Sequence, residues 1–105
     1  MDVCTAVRSN ALRSRMTTYV ISYDLSEDAQ DRTALFEAIK GLADTWCHCL
    51  GATWLIKTRM NAFEIAASLR ATMHESDGLL VVNAGSDAAW TGIVDDCDHW
   101  LETQV

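Results

Sequence analysis

The sequence predicts a small α+β domain in which two helices cover one face of a sheet, with a short helix added at the C-terminus. Three observations predict it. Strand-forming segments alternate with segments of helical apolar period in the order β, α, β, β (or one long bent β), α, β. Half of the 105 residues are apolar, enough for one modest core without staples. Proline is absent and 22% of residues are charged, which excludes a disordered or low-complexity chain.

The first strand is Thr18-Tyr19-Val20-Ile21-Ser22-Tyr23-Asp24, a β-branched and aromatic run that ends on a carboxylate. Leu25 to Asp31 then offers cap candidates and an acidic first turn, both favourable at a helix N-terminus. In the helix that follows, Leu35, Ala38, Ile39 and Leu42 recur at helical spacing, with Phe36 and Ala43 widening the stripe and Gly41 near its end. Thr45 to Thr58 switches to a period of two and is strand material. Gly51-Ala52 within it is either a tight hairpin turn or a bulge in one bent strand, and the tryptophans Trp46 and Trp54 are core or interface in both cases.

Met60-Asn61-Ala62-Phe63-Glu64-Ile65 is the clearest local signal. Asn61 caps, Glu64 completes a capping box three residues on, and Met60 staples to Ile65. Ala62, Ile65, Ala66, Leu69 and Met73 form the buried stripe of this second helix, which ends before the Ser76-Asp77-Gly78 turn. Gly78 to Ala84 is a nearly continuous apolar run, expected of a strand covered on both faces or at an interface. Val94, Cys97 and Leu101 then space a terminal helix among Asp95, Asp96 and Asp98, three acids read as its solvated face. This order is the ferredoxin-like α+β plan. The domain is expected over 16–105, with 1–15 a disordered N-terminal extension or residues upstream of a start at Met16.

Net charge is −7, and it is unevenly spread. Residues 1–15 hold Arg8, Arg13 and Arg15 against Asp2, which leaves +2 there and −9 on the rest of the chain. A body this acidic repels phosphate backbones unless cations cluster or a metal inverts the field, which disfavours nucleic acid as a partner. Lys57, Arg59 and Arg70 are the candidate phosphate contacts in the body. No apolar run approaches the roughly 18 residues that span a bilayer, and no apolar N-terminal block suggests secretion, so the expectation is a cytoplasmic protein without membrane contact. Cys4, Cys47, Cys49 and Cys97 are accordingly expected as free thiols.

Asp24 is the leading candidate for chemistry. A carboxylate at a strand's carboxyl end can bind a divalent metal, but one is too few for Mg²⁺. A homodimer with Asp24 near its twofold axis would supply a second copy and activate water for phosphodiester attack. The alternative role is an acid that caps the turn after the strand. Zinc is disfavoured at Cys47-His48-Cys49 with Cys97-Asp98-His99. C-x-C on a strand is not a C-x₂-C knuckle, and His48 points away from both neighbouring sulfurs. No local signature supports a thiol nucleophile.

Tyr19 to Asp24 followed by a helix, the strand Thr53 to Thr58, and Leu79 to Val82 followed by Ala88-Ala89-Trp90-Thr91-Gly92 together resemble the SinR-like family over nearly the whole chain from Met16. That family is more distantly similar to the CRISPR-associated Cas-two proteins and the VapD toxins, through the Tyr23-Asp24-Leu25 ending of the first strand. The resemblance implies a ferredoxin-like homodimer linked to antiviral defence or toxin–antitoxin systems. It further implies a Mg²⁺-dependent endoribonuclease with Asp24 as metal ligand and catalytic residue, paired with its copy. Thr53-Trp54-Leu55 departs from the Ser-Val-Phe pattern of the Cas-two family. The rival class is a non-catalytic acidic interaction module for a protein partner.

Overall fold

A computed structural model describes residues 16–26, 32–85, 87–93 and 95–104. Residues 1–15, read above as an extension, lie outside the described residues. The elements are β1 (Thr17–Asp24), α1 (Thr33–Leu42), β2 (Thr45–Leu50), β3 (Thr53–Thr58), α2 (Ala62–Arg70), β4 (Gly78–Asn83) and α3 (Asp95–Gln104). They form an α+β unit with one antiparallel four-stranded sheet ordered β2-β3-β1-β4. The architecture is compatible with a ferredoxin-like plan.

β1 lies inside the sheet and sorts its residues by alternation. Tyr19, Ile21 and Tyr23 face one side and meet Leu35, Ile39, Trp54, Ile56, Ile65 and Leu69, the core beneath α1 and α2. Trp54, Ile21, Ile39, Ile56, Ile65 and Leu69 are sealed from solvent. Each such side chain contributes about 1.5–3 kcal/mol through burial, which explains why α1 and α2 stay on this face. Of the expected stripes, Leu35, Phe36, Ala38, Ile39 and Leu42 of α1 and Ala62, Ile65 and Leu69 of α2 point into this core, and Met73 packs on it from beyond the end of α2 at Arg70.

Local chemistry sets the helix ends differently. Asn61 accepts from the Glu64 amide (2.8 Å) and Glu64 accepts from the Asn61 amide (2.9 Å), so the expected capping box forms. α1 instead starts at Thr33 behind Arg32, with no side-chain cap and no acid in its first turn. Of the cap candidates expected for it, Ser26 is engaged elsewhere and Glu27 to Asp31 lie outside the described residues. Thr58 fastens the far end of α1 by donating to the Leu42 carbonyl (3.0 Å).

Thr45 to Thr58 is a hairpin, not one bent strand, with Gly51-Ala52 as its turn. Ala52 also accepts from the Tyr23 amide (3.1 Å), which anchors the turn to β1. A register shift lies between Cys47 and Leu50. Trp46 pairs with Ile56 and His48 stacks on Trp54 (4.2 Å between ring centres), as period two predicts, but Leu50 pairs with Thr53 and leaves their face. Trp54 is core, whereas Trp46 is 40% exposed under the Lys40 ammonium (5.0 Å).

The second face carries Val20, Ser22 and Asp24, paired with Val82, Leu80 and Gly78. α3 covers only part of it, packing Cys97, Trp100 and Leu101 against Cys47, Cys49 and Leu55. Trp100 donates to Thr45 Oγ1 (2.8 Å) and Trp90 to Asp98 Oδ1 (2.8 Å), so Asp98 is a hydrogen-bonded member of the acidic run. β4 is an edge strand, not one covered on both faces: Leu79 and Val81 pack on the core while Leu80 and Val82 are 57% and 43% exposed.

The expectation of free thiols fails at Cys47 and Cys97. Cys47 and Cys97 form a disulfide that ties β2 to α3 across 50 residues of sequence. Cys49 is free and buried, and Cys4 lies outside the described residues. No helix among the described residues is long and apolar enough to cross a membrane.

Candidate functional site

Asp24 ends β1 on the partly uncovered second face. It is exposed, and Gly78 opposite it has no side chain to cover the carboxylate. The carboxylate borders a shallow depression of about 270 Å³ lined by Ser22, Tyr23, Gly78, Leu79 and Leu80. Alternation is what delivers it there: Tyr23 must enter the core, so Asp24 must leave it. No group of three metal-ligating side chains among the described residues includes Asp24. Within one chain it is therefore a single hard oxygen donor, short of the anionic set that Mg²⁺ takes from a protein and its substrate.

Among the described residues, the acid that caps a turn at this end of the sheet is Asp77, and the turn after Asp24 runs into residues 27–31, which lie outside them. Asp77 is 4% exposed; its Oδ1 accepts from the Ser26 amide (2.9 Å) and hydroxyl (2.9 Å), and its Oδ2 accepts from the His74 amide (2.9 Å). Arg70 closes the same corner by donating twice to the Asp77 carbonyl (3.0 Å each) and also to that of His74. Sequence reasoning found the Ser76-Asp77-Gly78 turn but missed that its acid bridges to Ser26. The available signal was an Asp three residues after His74, a spacing at which a carboxylate reaches back to a backbone N–H.

The three candidate phosphate contacts do not form one patch with Asp24. Lys57 pairs with Thr18, six residues back along β1, or roughly 20 Å at strand rise. Arg59 follows β3 at that same remote end, and Arg70 is committed to backbone carbonyls.

Three sulfurs do converge. Cys47, Cys49 and Cys97 place their Sγ atoms within 4.8 Å of one another, and all three residues are buried. Cys49 Sγ lies 3.1 Å from Cys47 Sγ. Burial pushes the Cys49 thiol above its ordinary value, an effect partly opposed by a backbone hydrogen bond at Leu55. Neither His48 nor His99 joins the group: His48 stacks on Trp54 and its Nε2 contacts the Gly51 carbonyl (3.0 Å), while His99 is exposed on α3. Burial likewise raises Tyr23, against the lowering effect of the Trp54 indole N–H, which donates to its hydroxyl (3.2 Å), and of Arg32.

A third feature is an apolar groove of about 280 Å³ between the second sheet face and the segment leading into α3, floored by Val20, Cys49 and Leu55 and walled by Trp90 and Ile93. No protein-family model matches the chain, and neither does any curated protein or solved structure.

Proposed function

We propose that the chain is a ferredoxin-like, SinR-like cytoplasmic protein of the Cas-two and VapD group that acts as a homodimeric, Mg²⁺-dependent endoribonuclease in defence or toxin–antitoxin systems. The observation that carries this reading is the exposed Asp24 carboxylate, which no hydrogen bond or ion pair engages among the described residues, on the same sheet face as the bare side chains of Leu80 and Val82. Burying that apolar strip against a second copy would bring two Asp24 side chains toward one axis. Those two carboxylates would be the protein's ligands to one Mg²⁺. The chemistry supplied at that site would be activation of water for phosphodiester hydrolysis.

Single-stranded RNA incubated with Mg²⁺ tests this. Cleavage should fall at least a hundredfold in Asp24→Ala, and Leu80→Glu should yield a monomer with the same loss. Cleavage that survives Asp24→Ala, or none by the parent protein, rejects the mechanism.

The second reading is an acidic interaction module without catalysis. It is favoured by the −9 carried after residue 15, and by cations already occupied: Lys40 lies 3.8 Å from Glu37 and Arg70 is bound to carbonyls. An arginine-rich peptide should then bind at low salt, leave as ionic strength rises, and bind Asp24→Ala equally well. No binding at low salt removes this reading.

A further inference from the structure

We infer that Cys47, Cys49 and Cys97, once reduced, form a three-thiolate site for one Zn²⁺ ion, with disulfide and metal as mutually exclusive states of one cluster. The inference is independent of the nuclease reading and concerns the β2 edge of the second face, beneath α3.

Placement carries it. Cys47 and Cys49 sit two apart on β2 and both enter the cluster beneath α3, while Cys97 descends from the first turn of α3. Zinc–sulfur bonds of about 2.3 Å at tetrahedral angles hold sulfurs roughly 3.8 Å apart. The Cys47–Cys49 separation of 3.1 Å is below that value, the Cys47–Cys97 bond opens toward it on reduction, and all three sulfurs lie within 4.8 Å of one another. The C-x-C spacing that argues against a zinc knuckle is no obstacle, because the third ligand comes from another element and no histidine is needed.

The surroundings supply the other requirements. A cavity of about 330 Å³ lined by Trp46, Cys47, His48, Asp96, Cys97 and Trp100 gives an approach to two of the sulfurs. It leaves room for a fourth ligand, either water or the exposed Asp96 carboxylate. Trp100, Leu101 and Leu55 surround the sulfurs with apolar contacts that strengthen metal–thiolate attraction.

The chemistry balances in two steps. A small-molecule thiol reductant delivers two electrons and two protons to the Cys47–Cys97 bond, giving two thiols and the reductant's own disulfide. Zn²⁺ then displaces three protons, one from each thiol, and is held by three Zn–S bonds.

The test uses the full chain carrying Cys4→Ser, so that every thiolate comes from the cluster. After reduction with a phosphine and anaerobic desalting, it is titrated with Zn²⁺ against a chromophoric chelator and, separately, with Co²⁺. One ion per chain should bind, with thiolate-to-cobalt charge-transfer bands. Adding Cys49→Ser should weaken Zn²⁺ binding a hundredfold or more, and the oxidised protein should bind none. Cys49→Ser retains the disulfide, so its melting curve when oxidised establishes that it folds. Reduced protein that takes up no zinc, or a Cys49→Ser variant that binds as its parent does, overturns the inference.

Discussion

Asp77→Ala should destabilise the fold far more than Asp24→Ala, although both residues are acids at the same end of the sheet. The Asp77 carboxylate is buried and accepts from the backbone amides of Ser26 and His74 and from the Ser26 hydroxyl. The hydroxyl also meets Ser76 Oγ at 2.8 Å and keeps a partner after the substitution. The two amides lose theirs. Hydrogen bonds to a charged acceptor contribute about 1.5–3 kcal/mol each, and the lower figure suits donors that water partly reaches, so the expected cost is about 3 kcal/mol. For a domain of this size that lowers Tm by roughly 12–24 °C. Asp77→Asn keeps one acceptor oxygen and should lose about half as much. Asp24 is exposed and engages nothing among the described residues, so Asp24→Ala should stay within about 0.5 kcal/mol. Urea and thermal unfolding followed by circular dichroism measure all three. An Asp77→Ala midpoint within a few degrees of the parent, or an Asp24→Ala loss of similar size, would refute the assignment of structural and uncommitted acids.

Opening the Cys47–Cys97 bond with reductant and a zinc chelator present should cost about 4 kcal/mol, the chain-entropy value for a 50-residue loop; a Cys97→Ser variant should melt at the same temperature with or without reductant. Asn61→Ala removes one half of the capping box and should cost about 1 kcal/mol in urea unfolding, whereas Asn61→Asp should cost little. Burial holds Tyr19, Tyr23 and Cys49 above their ordinary values of 10.0, 10.0 and 9.0. The folded state therefore keeps these protons longer than the unfolded chain does. Their contribution is complete below the ordinary values and is lost as pH rises through the folded ones. The Cys49 contribution is read on the oxidised protein, in which Cys47 and Cys97 are joined and do not titrate. Unfolding free energy should decline from about pH 9 upward, less steeply in Tyr23→Phe, and a flat profile to about pH 11 would contradict the burial argument.

What was legible in the sequence is what neighbouring residues decide among themselves. Asn61 and Glu64 form their box within one turn, and the stripes of Leu35 and Ile39 or Ile65 and Leu69 need only a period of 3.6 to declare their buried side. Features decided by distant partners were less legible. Gly51-Ala52 is a turn because Tyr23 and β3 bind it, and the register shift that turns Leu50 away from Trp46 has no marker in a run where every residue suits a strand. Cys97 meets Cys47 only because α3 crosses the second face, which nothing in Asp95 to Leu101 specifies. Asp24 and Asp77 differ by whether Ser26 reaches them, a contact spanning 51 residues in the one case. The exposure of Asp24 nevertheless follows from pattern. Tyr19, Ile21 and Tyr23 have to share the core, so Val20, Ser22 and Asp24 take the other face, and antiparallel pairing sets Val82, Leu80 and Gly78 beside them. A slip of one residue would bury the carboxylate and expose two tyrosines, so the register that forms the core is also what keeps Asp24 exposed.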